Sequence, residues 1–538
     1  MAASNADWRE RLALILLQLG AVAVVLAALP YKTFDLDRFF VLKELILHIT
    51  AIGSALLCVA GRRRLSLTGT DVLLVAFLGL SAASAIFAQN WWLAGRALAM
   101  SISGVLLFWV GLTIRRAGLH RPLLIAIAIA IVVGAFTALV QAYAGATTEL
   151  FSLNRAPGGT FGNRNFMAHL AAIGTPAVVI AALSARTRPG FTVGAIGSVI
   201  LAAALVLSRS RAAWLALIAA AAVIGAIAFV TRVSLSGDRT WVRLRVLGLA
   251  AVAGAVAAAF LPNQLEWKSN SPYLDSVRGV VNYKDGSGAG RLIQYTNSLH
   301  IALAHPLLGV GPGNWAVAYP KFAERNDQSL SSAEGMTDNP WPSSDWVAFV
   351  AERGFLATAC LALALLALIV RSIRELRRGR DEANFERSTA ALMLVGTITA
   401  AVVVGLFDAV LLLAVPTLFL WLLAGVLVLP LEGKRTVTPS VRVFAPLILV
   451  GVGALAVGRS AMQVAAMSTY NEASRLSGIE AAASLDPGSY RIRMRLADGY
   501  LARGDCAKAV PQARAARKLF PNAGDPRVVL RRCGVKSS

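Results

Sequence analysis

Charged residues are scarce in this sequence of 538 residues, of which 15% are charged and 57% are hydrophobic. A soluble domain has about 25% charged residues, so the deficit excludes a soluble enzyme and a disordered scaffold. Histidine and cysteine are also rare, with 5 and 4 residues. His300 and His305 have no other histidine or cysteine near them in the sequence, so no metal site is expected.

The sequence contains many long runs of apolar residues. Runs of about 17–25 apolar residues are long enough to cross a bilayer. The first run lacks a small-residue cleavage site followed by a soluble chain, so we interpret it as a retained span. We therefore predict an all-α fold, a polytopic transmembrane helical bundle with about 12–13 spans. The thirteen runs lie at 12–29, 40–60, 71–87, 97–113, 122–144, 166–184, 190–207, 212–230, 246–261, 346–370, 388–407, 414–430 and 443–461.

The formal net charge of +23 predicts an orientation. Lys and Arg number 52 against 29 Asp and Glu, an excess that in a soluble protein indicates nucleic-acid binding. Here most basic clusters fall in alternate loops, and cytoplasmic loops of membrane proteins are rich in Lys and Arg. The N-terminus is therefore predicted to be cytoplasmic and the C-terminal tail periplasmic, with no nucleic-acid partner. The clusters are at 62–64, 115–121, 186–188, 232–245, 371–387 and 434–435.

Two segments are not predicted to cross the membrane. The periplasmic loop at 262–345 is rich in Pro, Gly, Asn, Asp and Ser, and loops of this length are often functional. The tail at 463–538 contains two amphipathic helices that are separated by a turn at 503–505, and it resembles a tetratricopeptide-type hairpin. We expect a membrane domain at 1–462 and a small α-helical tail that packs on that domain or on a protein partner.

The four cysteines divide between these two parts. Cys58 and Cys360 lie in predicted spans, where cysteine is a packing residue. Cys506 and Cys533 share the tail, which the predicted topology places in an oxidising compartment. We predict a disulfide between them.

Polar residues at the outer ends of spans are the candidates for a functional site, because they are costly in a membrane unless they are used. Asn163 and Arg164 lie in a glycine-rich turn before a span, which suits an anion or is simply a capped re-entrant turn. Arg209 and Arg211 lie on a short outer connection, against the positive-inside rule. A bound pyrophosphate would balance their charge; the alternative is contact with lipid headgroups.

Further candidates flank the long loop. Arg291 opens an amphipathic helix that ends near His305, which is either a site residue or structural. Asp345 and Glu352 lie in the first turns of the tenth span, where a carboxylate serves as a base or as a helix cap. Asp408 is a possible buried partner for one of the arginines.

Five strings in this order resemble the O-antigen ligase and polymerase family over about residues 70–430. They are GTFGNRNFMAHL, SRSRAAWLAL, GRLIQYTNSLHIALAHPLLGVGPGNW, SDWVAFVAERG and FDAVLLLAVP. The resemblance implies an enzyme of the bacterial inner membrane, a glycosyltransferase that needs no metal or cofactor. It would move a glycan from a polyprenyl-diphosphate carrier to a hydroxyl of a glycan, lipid or protein acceptor on the periplasmic face.

The resemblance also implies roles for individual residues. Arg211 and Arg291 match the family arginines that hold the donor diphosphate. Ser343 stands where ligases of the family have the histidine that activates the acceptor. Either Asp345 or Glu352 is then the base, or an inverting transfer needs little help from a base. The predicted catalytic residues are thus Arg211, Arg291 and Asp345, and the predicted substrate-binding residues are Asn163, Arg164, Arg209, His305 and Glu352.

Three other functions compete with a ligase. A polymerase of lipid-linked glycans is the nearest, because it belongs to the same family. A non-catalytic surface-polysaccharide assembly protein is favoured by the missing histidine and opposed by the retained arginines. A secondary transporter predicts inverted repeats with broken helices at the midplane, whereas no internal symmetry is visible and the polar residues collect at the outer face.

Overall fold

The computed structural model of the chain describes residues 6–28, 37–59, 66–144, 151, 155–232, 238–267, 269, 271–281, 287–324, 326–331, 335–378, 385–429, 435–436 and 439–535. Over this part of the chain the protein is almost entirely α-helical. Its β-structure consists of the antiparallel pair β1 (Ser66–Leu67) and β2 (Arg435–Thr436) and an isolated bridge between Leu330 and Thr337. The predicted all-α fold class is confirmed. The basic residues at 62–64 and Lys434 lie outside the described residues.

The described residues form twenty α-helices. In chain order they are α1 (Trp8–Leu26), α2 (Val41–Val59), α3 (Gly69–Ile86), α4 (Trp91–Arg116), α5 (His120–Tyr143), α6 (Arg164–Leu183), α7 (Arg188–Ser208), α8 (Arg211–Thr231), α9 (Asp238–Phe260), α10 (Pro272–Val281), α11 (Ser287–Ala304), α12 (Trp315–Ala318), α13 (Asp345–Arg378), α14 (Phe385–Phe407), α15 (Ala414–Leu427), α16 (Pro439–Glu472), α17 (Leu476–Leu485), α18 (Tyr490–Leu501), α19 (Cys506–Leu519) and α20 (Asp525–Arg532).

Thirteen of these helices, α1–α9 and α13–α16, coincide with the predicted spans. Among the described residues, eleven helices are long and apolar enough to cross a membrane. The remaining two are α1, which begins with the charged residues Arg9, Glu10 and Arg11, and α15. With 14 residues, α15 is about 21 Å long, shorter than the apolar core of about 30 Å. The predicted span at 414–430 is therefore corrected to a short helix.

The short helix α15 lies at the centre of the bundle. All 14 of its residues are buried, and its main neighbour is α4. Gly425 of α15 and Gly111 of α4 face each other where the two backbones meet. Small residues allow this close approach between membrane helices. Because α15 is enclosed by protein, it does not need the length of a lipid-facing span.

The bundle has two chemically different ends. At the basic end, α4 finishes with Arg115 and Arg116, and Glu386 at the start of α14 pairs with Arg121 of α5 at 2.8 Å. The opposite end, called the loop end here, is where α6, α8 and α13 begin. It also carries the long loop and the tail, as expected from the alternation of the predicted spans.

The long loop is folded onto the start of α13. Trp315 is fully buried, and its indole Nε1 donates to Ser298 Oγ of α11 at 2.8 Å. Gly354 interrupts α13 with φ +79°, which glycine adopts without strain, and the amide of Phe355 donates to the carbonyl of Pro306 at 3.0 Å. The loop is therefore a packed part of the protein that α13 holds in place.

The tail is a helical unit that continues from α16. The predicted turn at 503–505 joins α18 to α19, and Asp505 caps α19 by accepting from the amide of Lys508. Buried alanines of α18 and α19 form a small core with α17 and α20. Asn522 donates to the carbonyl of Val317 at 3.0 Å, and Asn90 at the start of α4 donates to the carbonyl of Leu519 at 3.2 Å. The tail therefore packs on the membrane domain.

The predicted roles of the cysteines are confirmed. Cys506 and Cys533 form a disulfide that joins the start of α19 to the end of α20. Cys58 and Cys360 are free thiols that pack against the main hydrophobic core.

Reduction of the disulfide is expected to destabilise the tail. The bridge joins residues separated by 27 positions, and closing a loop of this size contributes about 3–4 kcal/mol. Protease should therefore cleave the tail of the Cys506→Ser variant much faster than that of the wild type in vesicles, with Cys360→Ser as the control. In unreduced, denatured protein a maleimide should modify two cysteines. Modification of all four would contradict the pairing.

Candidate functional site

A cavity of about 1080 Å³ lies at the loop end, between the bundle, the long loop and the tail. Its walls come from the starts of α4, α6 and α8, from α11, from the segment at 336–343, and from α16 and α18. Eight arginines and five aspartates line it. Ligand pockets typically measure about 300–1,000 Å³, so this cavity has room for a diphosphate and attached sugars.

Four predicted site residues line this cavity together and are called the arginine group here: Arg164, Arg209, Arg211 and Arg291. Arg164 is the first residue of α6 and Arg211 the first of α8. Arg209 ends α7, and Arg291 lies near the start of α11. Helix N-termini add backbone N–H groups and the positive end of the helix dipole. The arrangement suits a polyanion.

Two members of the arginine group share one aromatic ring. The guanidinium carbons of Arg209 and Arg164 lie 4.8 and 5.6 Å from the ring centre of Trp267. Arg209 Nε also donates to Ser276 Oγ at 2.9 Å. No ion pair between described residues includes Arg164, Arg209 or Arg291. Their remaining N–H donors are therefore available to an anion in the bidentate geometry that arginine favours.

Arg209 keeps its charge in this setting. Burial lowers the pKa of its guanidinium, while Asp275 and Tyr273 nearby act in the opposite direction. An arginine pKa begins above about 12, so the side chain remains a cation at neutral pH. Its backbone is left-handed, with φ +53°, a conformation that costs a non-glycine residue about 1 kcal/mol or more. The fold therefore retains an unfavourable turn that directs this arginine to the cavity.

The glycine-rich turn before α6 is fixed by contacts on both sides. Lys43 Nζ donates to the carbonyl of Thr160 at 2.6 Å, and the amide of Gly159 donates to Gln141 Oε1 at 2.7 Å. Asn163 caps α6 by accepting from the amide of Asn165 at 2.9 Å. The turn is capped, and Asn163 also lines the cavity. The two interpretations of this turn are thus compatible.

Asp408 follows the end of α14 and lines the same cavity as the arginine group. Its Oδ2 accepts from Asn165 Nδ2 at 3.5 Å, and His169 Nε2 lies 3.9 Å away. The sequence predicts an arginine as its partner, whereas the described side-chain contacts are to Asn165 and His169, and Asp408 Oδ1 accepts from the amide of Ala409 at 2.9 Å. Asn165 and His169 both belong to α6, the helix that begins with Arg164.

Asp345 has a structural position. Its two carboxylate oxygens accept from the amides of Val410 and Leu411, both at 2.9 Å, and the side chain is buried away from the cavity. The segment at 408–413 is non-helical backbone inside the bundle, where each amide needs a partner. Ser344 Oγ accepts the amide of Val347 at 3.4 Å. These contacts favour the capping interpretation of this segment over a base.

Glu352 and His305 also lie away from the cavity. Glu352 is buried and accepts from the amides of Gly313 at 2.7 Å and Trp315 at 3.2 Å. It therefore holds the turn of the long loop before α12. His305 is exposed at the end of α11. The structure thus brings together five of the eight predicted site residues and separates Asp345, Glu352 and His305 from them.

Ser343 lies at the cavity wall. Its amide donates to Gln294 Oε1 at 2.7 Å, and its carbonyl accepts from Tyr295 Oη at 2.7 Å. Both partners belong to α11, the helix that carries Arg291. Ser343 is the position at which the resemblance implies a histidine. Two hydrogen bonds join it to the helix that carries Arg291.

Sequence reasoning missed the part of the cavity that lies next to the tail. This tail end, as we call it, is lined by Trp92, Arg96, Arg459, Asp486 and Arg491. Trp92 and Arg96 come from α4, Arg459 from α16, and the last two from the tail. No local motif marks these residues, because only the docking of the tail brings them together.

Comparison with known protein families identifies part of the chain. Residues 196–362 match the family model described as O-Antigen ligase. The chain carries an O-antigen ligase domain. No curated protein matches the chain. The match supports a multi-pass membrane protein of the O-antigen ligase and polymerase family, a family that suggests a glycosyltransferase-like ligase activity.

The O-antigen ligase domain contains much of the cavity wall. It includes Arg209, Arg211 and Arg291 of the arginine group and also Ser343. Arg164, Asp408 and the tail lie outside the matched residues. The ligase domain therefore shares its cavity with other parts of the chain.

Proposed function

We propose that the chain is an inner-membrane glycosyltransferase that moves a glycan from a polyprenyl-diphosphate carrier to an acceptor hydroxyl. The observation that carries the proposal is the arginine group, which lines one cavity together with Asp408. The leaving group of this reaction is an anionic lipid diphosphate. Fixed positive charge at that position stabilises the transition state.

The reaction proceeds by displacement at the anomeric carbon. The acceptor oxygen forms a bond to that carbon as the bond from the carbon to the diphosphate oxygen breaks, and the electron pair leaves with the carrier diphosphate. Arg164, Arg209, Arg211 and Arg291 hold the diphosphate through charge-assisted hydrogen bonds. They supply the positive charge, so the proposed reaction uses neither a metal nor another cofactor.

Asp408 takes the proton of the acceptor hydroxyl. Among the carboxylates considered for this role, it lines the cavity, whereas Asp345 and Glu352 are buried with backbone amides as partners. Asn165 of α6 donates to the Asp408 carboxylate, and His169 of the same helix lies 3.9 Å from it. A base at this position operates next to the arginine group, as a transfer reaction requires.

The carrier reaches the cavity from the membrane beside α11. Three leucines on one side of α11, Leu292, Leu299 and Leu303, have exposed fractions of 51%, 49% and 61%. Such an apolar face is stable when it lies in the lipid boundary. Arg291 on the same helix lines the cavity. Lipid contact and diphosphate contact thus meet on a single helix.

The ends of the bundle support an orientation. Arg115, Arg116 and Arg121 at the basic end follow the positive-inside rule, so we assign that end and the N-terminus to the cytoplasm. The loop end, the disulfide-bonded tail and the cavity then face the periplasm. Within this assignment the membrane domain is 1–462, and the tail at 463–538 resembles a tetratricopeptide hairpin.

The decisive experiment is reconstitution of the full chain in vesicles with a lipid-linked oligosaccharide and a membrane extract as acceptor. Transfer of the glycan, detected by a shift in the mass of labelled acceptor, supports the proposal. Joining of donor glycans to each other would instead identify a polymerase of the same family. Transport of intact donor across the vesicle without transfer would contradict the proposed chemistry.

Asp408 and Asp345 are expected to respond differently to the same substitution. Asp408→Asn should lower kcat by about 10²-fold, the effect of losing a general base, with little change in thermal stability. Asp345→Asn removes one of two acceptors from a buried backbone turn, so it should lower stability by about 1–3 kcal/mol. Thermal unfolding and initial rates of both purified variants check this. An Asp345→Asn variant that is stable but inactive would show that Asp345, and not Asp408, is the base.

A further inference from the structure

The tail end of the cavity differs chemically from the arginine group, although both contain arginines. Arg96 pairs with Glu44 through its Nη2 at 2.7 Å, and Arg491 Nη1 lies 3.3 Å from Asp37 Oδ1. Arg459 interacts electrostatically with Arg96 and with the carboxylates of Asp486 and Glu44. Each arginine therefore has a carboxylate near it. The tail end is polar but nearly balanced in charge, which suits an uncharged polar ligand better than a diphosphate.

Polar atoms at the tail end have unused hydrogen-bonding capacity. Arg459 Nε and Gln463 Oε1, one donor and one acceptor, are buried without a hydrogen-bond partner among the described residues. Both side chains line the cavity from α16. Buried polar atoms of a folded protein nearly always have partners. A ligand that both donates and accepts would satisfy this pair.

Aromatic surfaces accompany these polar groups. The Trp92 ring lies 5.7 Å from the guanidinium carbon of Arg459 and stacks on Trp91 with ring centres 4.1 Å apart. Tyr490 of the tail also lines the cavity, and its ring contacts Phe520 at 5.3 Å. In small-molecule sites, a small number of polar groups among aromatic rings fixes the orientation of the bound molecule. A sugar ring offers both hydroxyls and an apolar face to such a surface.

We propose that the tail end of the cavity is a carbohydrate subsite that binds the sugars of the acceptor. Gln463, Arg459, Asp486 and Arg491 contact the hydroxyls, and Trp92 and Tyr490 contact the apolar faces of the rings. This inference rests on the proposed function, because it takes the arginine group as the donor site. The two subsites share one cavity, so an acceptor bound at the tail end reaches toward the donor sugar.

The subsite gives the tail a role in the reaction. Asp486, Tyr490 and Arg491 reach the cavity from the tail, which docks on α4 and α12 through Asn90 and Asn522. The tail therefore forms a wall of the cavity and takes part in selecting the acceptor.

Acceptor titration with the full chain in vesicles tests the subsite. The probe is a membrane extract titrated at saturating lipid-linked oligosaccharide, and the variants are Gln463→Leu and Arg491→Gln. Each removes polar contacts to the acceptor, and a lost contact of this kind typically weakens binding by about tenfold. The acceptor concentration for half-maximal transfer should rise about tenfold, while that for the donor stays unchanged. Arg491→Lys should restore part of the loss.

Arg514→Gln is the matched control, because Arg514 is an exposed arginine on α19 outside the cavity. If Gln463→Leu and Arg491→Gln have the same half-saturating acceptor concentration as Arg514→Gln, the tail end of the cavity does not bind the acceptor. A rise in the half-saturating concentration of donor equal to that of acceptor would also overturn it. Normal transfer by variants of the arginine group would refute the proposed function instead, so the two failures are distinguishable.

Discussion

Alanine in place of Arg211 or Arg291 is expected to reduce glycan transfer by about 10³-fold for each substitution. Both side chains line the cavity from the start of a helix. Removing one preorganised donor from a site that stabilises developing negative charge typically costs about 10²–10³ in rate. The effect should be near the upper limit, because each guanidinium contributes charge as well as hydrogen bonds.

The loss should appear in kcat as well as in the donor KM. The diphosphate gains negative charge as the glycosidic bond breaks, so an arginine that holds it binds the transition state more tightly than the ground state. Initial rates over a donor titration separate the two parameters. Arg211→Lys and Arg291→Lys keep the charge but lose the planar fork of donors. They should therefore lie between alanine and wild type.

Arg278 provides the control for this series. It is an exposed arginine in the last turn of α10, in the same loop as Arg291 but outside the cavity wall. Arg278→Ala should transfer at the wild-type rate. Wild-type rates for both Arg211→Ala and Arg291→Ala would show that the arginine group does not hold the leaving group.

The sequence predicts the bundle well because lipid imposes a strong and local pattern. A run of apolar residues long enough to span a bilayer is visible without knowledge of its neighbours, and all thirteen predicted runs are helices. The span at 414–430 is the exception in length. Its helix is enclosed by protein, so the bilayer does not set its length, and nothing in the local sequence records that burial.

Part of the site follows from the same logic. Arg209 and Arg211 are conspicuous because they lie at an outer connection where positive charge is unusual, and the structure places both at the cavity. Asp345 and Glu352 have the same appearance in the sequence, yet their carboxylates accept amides of distant segments. A capping carboxylate contacts backbone amides, whereas a catalytic carboxylate faces the substrate cavity. Tertiary packing decides which of these surroundings a carboxylate has.

The tail end of the cavity had no signal in the sequence. Arg96 and Arg491 are far apart in the chain, and each looks like an ordinary charge near a helix end. They line one cavity because the tail docks at the start of α4, where Asn90 donates to the carbonyl of Leu519. Contacts of this kind depend on the three-dimensional arrangement of segments, for which one sequence carries no local pattern.

Gly425→Ala is expected to destabilise the bundle strongly. A Cβ at this position would lie 2.1 Å from the carbonyl oxygen of Phe108, so α4 and α15 would have to separate. Overpacking typically costs about 1–3 kcal/mol and occasionally more. The larger value is expected here because the obstacle is backbone and α15 is buried on all sides.

The loss of stability should also reach the site. The turn at 408–413, which carries Asp408, leads directly into α15, so movement of α15 displaces the proposed base. Thermal unfolding and transfer rate should therefore fall together in Gly425→Ala. Gly79→Ala is the matched control: it is also a glycine in a membrane helix, with nothing within 4 Å of an added Cβ. Alanine there should raise helix stability by up to about 1 kcal/mol. Equal unfolding temperatures for the two variants would show that contact between α4 and α15 does not limit the stability of the bundle.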